Sequence, residues 1–378
     1  MNIKNIIIYR KRELIVAAII IVCAFIGGIV YMLQSYDDFD VQFSVERNES
    51  TESHYLEFKK HMLRYNADGA FYTNESNDLI WNITYEMTKP TIDVCGDFLT
   101  IYDKGGTAVY IIKESGLVGH LEMSLPITEA NIANKGTVAV LMQEHDSNFI
   151  ELYDADGNTL VSGEIHTENS GYPIAIALSN DATRLMVALL NLNDGNVKTA
   201  INFYNFGNAG KNAVDNLVAT YSYSDTVIPQ IDFIENDKAI AFGDKQVIVF
   251  SSTSTPKVVE ELYPNADIKS VFHNEKYFGL VTGSIDDEGE MTNVITLYNM
   301  HGHKRFSRTL DIAYNQISIL SNDEILVTNG SETNIYTSRG IKKFEYVFDN
   351  NIYEAIPGEG ARNYTFVLNG YTERVKLK

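Results

Sequence analysis

Few residues of this chain stand at a spacing that could do chemistry. His301-Gly302-His303 brings two imidazoles near enough to share a metal ion. Asp154-Ala155-Asp156-Gly157-Asn158 has the opening of a calcium loop but no bidentate glutamate where such a loop must end. Ser254-Thr255-Pro256-Lys257 fits a Ser-x-x-Lys pair, which works on a helix, and Pro256 denies one. Gly358-Glu359-Gly360 lacks the third glycine of a dinucleotide loop. The eight histidines (54, 61, 120, 145, 166, 273, 301 and 303) form no Ser/His/Asp or Cys/His set by spacing. No catalytic residue, cofactor site or metal site is therefore assigned. Ser170 and Tyr172, in Ser170-Gly171-Tyr172-Pro173, are the candidates for ligand binding, as a loop at the mouth of a channel.

The elements that would hold these residues are strands. From about residue 56 onward, short apolar runs recur every 8–12 residues, divided by Gly, Asn, Asp and Ser. One kind of turn keeps an asparagine in phase at Asn134, Asn180, Asn236, Asn274 and Asn322. Asparagine suits a turn because its side chain bonds the backbone two residues on. A second kind ends a strand on a large residue with glycine four later: Tyr65–Gly69, Ile112–Gly116, Tyr153–Gly157, Tyr298–Gly302 and Tyr336–Gly340. Pro90, Pro126, Pro173 and Pro229 each open an apolar strand: PTIDV, PITEA, PIAIA and PQIDF. Four strands in about 45 residues is the period of a propeller blade. Inner strands starting near residues 91, 127, 174, 230, 268, 316 and 352 predict an all-β, seven-bladed β-propeller, with eight blades as the alternative. Residues 351–378 are too few for a whole blade, so the two ends of the domain are expected to share one.

Ahead of the strands, residues 14–33 are twenty residues without a charge, long enough as a helix to cross ~30 Å of hydrocarbon. Lys4, Arg10, Lys11 and Arg12 precede them; Asp37, Asp38 and Asp40 follow. The expected division is a cytoplasmic N-terminus (1–13), a transmembrane helix (14–33), a polar linker (34–55) and an extracytoplasmic propeller (56–378) in the plasma membrane. Residues 1–13 hold four basic and one acidic residue; the other 26 basic and 49 acidic residues leave the remainder at −23. Such a charge argues against nucleic acid as a partner. Cys95 is the only cysteine outside the apolar segment, so the outer domain has no internal disulfide.

The stretches DGAFYTNESNDLIWNITYEM, LPITEANI, SGYPIAIALSND, FYNFG, DIKSVF and RVKLK resemble a bacterial family of single-pass, propeller-type proteins known only as a domain of unknown function. YNADGAFYTNESNDLIW is more loosely similar to quinoprotein and WD40-like propeller repeats, although Trp81 is the sole tryptophan. The resemblance implies a membrane-anchored propeller outside the cytoplasm and supplies no activity. The expected function is a binding or scaffold module for a surface protein, peptide or glycan. Two alternatives stand beside it: an enzyme (a metal-dependent hydrolase, lyase or quinoprotein) with its site in the channel, and a sensor acting through a partner in the membrane.

Overall fold

The computed structural model describes residues 16–23, 34–47, 52–145, 147–192, 195–252, 254–285, 289 and 291–378. It holds eight four-stranded antiparallel sheets. Seven are simple meanders, with strands A to D running outward from the axis: blades 1 to 7 cover 54–84, 90–122, 127–166, 172–224, 230–262, 268–309 and 316–347. Blade 8 takes strands A to C from 352–377, and its strand D is Phe39–Glu46, paired along Tyr371–Leu377. The two ends of the domain thus share a sheet, as expected.

The seven-blade count is corrected to eight. The seven expected inner strands are present, beginning at Pro90, Ile127, Tyr172, Gln230, Ile268, Gln316 and Ile352. The eighth is His54–Phe58, which pairs with His61–Asn66. Its first two residues fall in the expected linker, and the Tyr65–Gly69 landmark lies one hairpin earlier in its blade than the others do in theirs. That turn joins strands B and C, whereas the other Gly landmarks join C and D. The equivalent of Tyr153 in blade 1 is Thr73, with Asn77 (φ +62°) in the place of Gly157. In all seven meanders the C–D pairing shifts register at this position, as at Tyr72/Thr73, Leu152/Tyr153 and Ile335/Tyr336. A bulge there adds twist before the hairpin.

Part of the remaining linker, Phe39–Glu46, is also a strand. Phe39, Val41, Phe43 and Val45 alternate with Asp40, Gln42, Ser44 and Glu46, a period-two pattern diluted by its polar face. Tyr36 is buried and bridges to Phe344 of blade 7. Residues 16–23 are helical and exposed, and the rest of the expected span at 14–33 lies outside the described residues. Among the described residues, no helix is long and apolar enough to cross a membrane.

Each sheet is too thin to hide its own faces, and the core lies between blades. Phe58, Tyr72 and Leu99 join blades 1 and 2; Ile248, Phe250 and Phe203 join blades 4 and 5; Phe344, Phe366 and Tyr364 join blades 7 and 8. The seam from blade 8 back to blade 1 has the smallest apolar cluster, Met62, Ile356 and Val367, with Tyr55 stacked on Tyr353 at 5.3 Å. Arg47 reinforces it. Its guanidinium donates to Thr372 Oγ1 and to Leu368 O (2.6 Å) and lies 4.9 Å from the Tyr55 ring.

One ionic group is buried between blades 7 and 8. Lys343 Nζ lies 2.5 Å from Glu324 Oε1 and donates to Tyr364 Oη at 2.8 Å, while Tyr364 Oη donates to Glu324. Burial, and then the Glu324 charge, push the Tyr364 hydroxyl up, so it stays a donor. Glu324→Ala strands the lysine and is expected to cost about 3–5 kcal/mol by chemical denaturation. Joint replacement of Glu324 and Lys343 by Gln and Met should cost clearly less, because no buried charge is then left alone.

Candidate functional site: the acidic channel mouth

Inner strands surround the axis, so their polar residues decide what the channel can do. Asp93, Glu129 and Asp232 each stand three residues after a proline: Pro90, Pro126 and Pro229. The shared phase puts them on the inner strands of blades 2, 3 and 5. In blade 4 the position after Pro173 is Ile176. The carboxylates staple neighbouring blades: Asp93 Oδ2 accepts from Ile132 N (2.7 Å) and Glu129 Oε2 accepts from Ile176 N (3.0 Å). Asp232 Oδ2 lies 3.2 Å from Nε2 of His273 on blade 6, whose ring stacks on Phe242. Glu57 and Glu354 add two more carboxylates from blades 1 and 8.

Two cavities share the end of the channel at which strand A turns into strand B. One, of about 180 Å³, is lined by Asp93, Cys95, Asn131, Asn180, Asp232 and His273. The other, of about 620 Å³, reaches Glu57, Lys60, Ser318, Ser321 and Glu354. Val94, Gly96 and Asn274 line both, so they form one mouth to which all eight blades contribute. Gly96 is required there. Its φ is +58°, and a Cβ would strike Asn134 Oδ1 of the next blade. The in-phase asparagines also tie the turns of this rim together: Asn134 N donates to Asn180 O, and Asp181 N donates to Asn236 Oδ1.

The electrostatics follow from crowding like charges in a narrow space. Burial, then Asp232, push the Asp93 carboxyl up to about 7 against the hydrogen bonds from Ile132 and Val94. Burial, opposed by the Ile176 amide and helped by Asp93, raises Glu129 to about 7. Burial and Glu57 raise Glu354 to about 7. The mouth can therefore hold a proton near neutral pH, or release it to an arriving cation. The Cys95 thiol is raised to about 11, chiefly by burial and further by Asp93, Asp232 and Glu275, so it supplies no thiolate. Among the described residues, no three of His, Cys, Asp and Glu are grouped to hold a metal ion. Asn131 Oδ1 and Ser318 Oγ are buried atoms in this lining without a hydrogen-bond partner.

The chain matches the family described as "Family of unknown function (DUF5711)" over residues 32–377. It belongs to DUF5711. No curated protein matches it. The DUF5711 propeller is similar to BamB from Moraxella catarrhalis at 12% identity and TM-score 0.53, covering 90% of this chain and 100% of that one. It is similar to Sqt1 from Saccharomyces cerevisiae at 11% identity and TM-score 0.52, covering 91% and 99%. The computationally designed Ika8 protein gives 10% identity and TM-score 0.53, covering 91% and 100%. At these identities the likeness is one of fold alone.

The residues singled out by spacing in this DUF5711 chain stay apart. His301 and His303 cap an exposed C–D hairpin, their amides donating to Asn299 Oδ1. Asp154 does the same for Asp156 and Asn158. Ser254 is an exposed turn residue before strand D of blade 5, and Gly358 and Gly360 lie in the A–B turn of blade 8. Ser170 and Tyr172 are exposed where blade 3 leads into the inner strand of blade 4. That is the opposite end of the channel from both cavities. Sequence spacing did not reveal the inner-strand carboxylates Asp93, Glu129 and Asp232, although PTIDV, PITEA and PQIDF carry an acid at one fixed distance from proline.

Proposed function

We propose that this propeller is a membrane-anchored, extracytoplasmic binding and scaffold module whose channel mouth takes a cationic side chain from a protein or peptide partner. The uncharged stretch at 14–33, with its basic flank before and acidic flank after, supports a single-pass plasma-membrane anchor with a cytoplasmic N-terminus. The observation carrying the ligand reading is the small cavity walled by Asp93 and Asp232, with the unpartnered Asn131 Oδ1 in its lining. Carboxylates and a spare amide oxygen are acceptors, and a guanidinium or ammonium brings several donors and a charge. The outer charge of −23 disfavours anionic polymers, nucleic acid included.

Thermal unfolding of the detergent-solubilised full chain tests this. N-acetyl-arginine amide should raise Tm saturably and its neutral counterpart N-acetyl-citrulline amide should not. The Asp93→Asn/Asp232→Asn variant should lose the difference. Equal shifts from both compounds, or an unaltered difference in the variant, would remove the mouth as a cation site.

A further inference from the structure

In each blade, strands alternate in direction, so A–B and C–D turns lie on one rim and B–C turns on the other. The cavities open on the first of these, the upper rim, because Gly96, Asn180, Asn274 and Ser321 are A–B turn residues. The chain enters the domain on that same rim. Phe39–Glu46 serves as strand D of blade 8 and runs away from the upper rim, antiparallel to Tyr371–Leu377. Gln34 lines one cavity together with Thr337, Ser338 and Arg339, the C–D turn of blade 7. Tyr36 is already fixed: its amide donates to Lys343 O at 2.8 Å and its side chain is buried in the core between blades 7 and 8.

Only Gln34 and Ser35 therefore separate the last residue of the uncharged stretch from a docked residue. Fully extended, two residues span about 7 Å. The stalk that would hold the domain clear of the bilayer has become strands of blades 8 and 1.

From this we infer that the upper rim is a membrane-facing surface, with the acidic channel mouth turned toward the lipid headgroups and the lower rim, with Ser170 and Tyr172, turned toward the aqueous side. The inference rests on the anchor reading above. A short tether at one point of a rim keeps the whole rim at high effective concentration beside the bilayer. A strand of six residues at ~3.3 Å each puts the lower rim roughly 20 Å further out. A cation reaching the cavities must then be presented at the membrane surface, whereas a soluble partner meets the lower rim first.

Two cysteines at opposite ends of blade 1 test the orientation. Ser76 is exposed in its C–D turn and Asp68 in its B–C turn. Ser76→Cys and Asp68→Cys are made singly in a full chain carrying Cys23→Ser, since Cys95 is buried. Each is labelled with a small fluorophore and reconstituted into phosphatidylglycerol–phosphatidylethanolamine vesicles containing headgroup-nitroxide lipid. Emission at position 76 should be quenched several-fold more than at position 68. Equal quenching, or the reverse order, in protein that floats with the vesicles would overturn the orientation and leave the anchor standing. Protein that fails to float with the vesicles would overturn the anchor and the orientation together.

Discussion

Phe39→Asp is expected to unlatch blade 8. Phe39 sits among Phe344, Tyr346, Phe348 and Phe366, with ring centroids 4.9 to 6.3 Å away. Losing a packed aromatic costs about 3–5 kcal/mol. A carboxylate left among four rings adds a desolvation penalty of several kcal/mol or forces the strand out. Release of the strand bares the edge of Tyr371–Leu377 and withdraws Arg47 from Thr372 and Leu368, weakening the seam that has least apolar area. Trypsin provides a direct readout. Arg47 is 8% exposed in the closed ring and becomes cleavable when the strand lifts. Val41→Asp is the control, since Val41 on the same strand is 49% exposed and the added charge meets water. Early cleavage at Arg47 in Phe39→Asp only is the expected result. Equal protection of both variants would mean that the first strand is dispensable for closure.

The second large effect is on pH dependence. In the folded chain Asp93, Glu129 and Glu354 keep their protons up to about 7, while in the unfolded chain they ionise at ordinary carboxylate values. Between about pH 4 and 7 the folded state thus binds more protons, and stability falls as pH rises across that window. A three-unit shift corresponds to about 4 kcal/mol, and access of solvent to the channel reduces it to about 2 kcal/mol per group. Asp38, Asp97, Asp154 and Asp181 are shifted the other way, so their contribution is present above the usual carboxylate range and is lost only in stronger acid. Tm should therefore be several degrees higher at pH 5 than at pH 8. The Asp93→Asn/Glu129→Gln variant should show a markedly flatter profile. A wild-type Tm that rises from pH 5 to pH 8 would contradict the crowding of protonated carboxyls at the mouth.

How much of this was legible in the sequence depended on what each element exposes. Seven inner strands are apolar runs with a proline or a turn before them, and their starts were placed within two residues. His54–Phe58 and Phe39–Glu46 were missed because each keeps water on one side. Their apolar residues are diluted by Glu57, Asp40, Ser44 and Glu46, and composition masks what alternation shows. The slip at Tyr65 has a similar origin: Gly69 mimics the C–D landmark, while the true hairpin of blade 1 turns on Asn74, whose side chain accepts from Ser76 N and Asp78 N. The channel mouth was hidden for a different reason. Asp93, Glu129 and Asp232 lie 36 to 139 residues apart in sequence, and only closure of a ring brings them to one axis. Local spacing favours hairpin tips such as His301–His303, where ligand-like residue types are common for reasons of turn chemistry.

The latch between first and last strands also sets an order of events during biosynthesis. Ser44 donates to Glu373, 329 positions further along the chain. The earliest strand of the domain must wait, unpaired, while that length is translated. Seven blades can form from neighbouring segments as they emerge, whereas ring closure carries the loop-entropy cost of a contact between distant residues and comes late. In that interval the alternating face of Phe39, Val41, Phe43 and Val45 is an open edge able to pair with another copy. Chaperone demand and misassembly in this protein should thus concentrate on the interval before Glu373 leaves the ribosome.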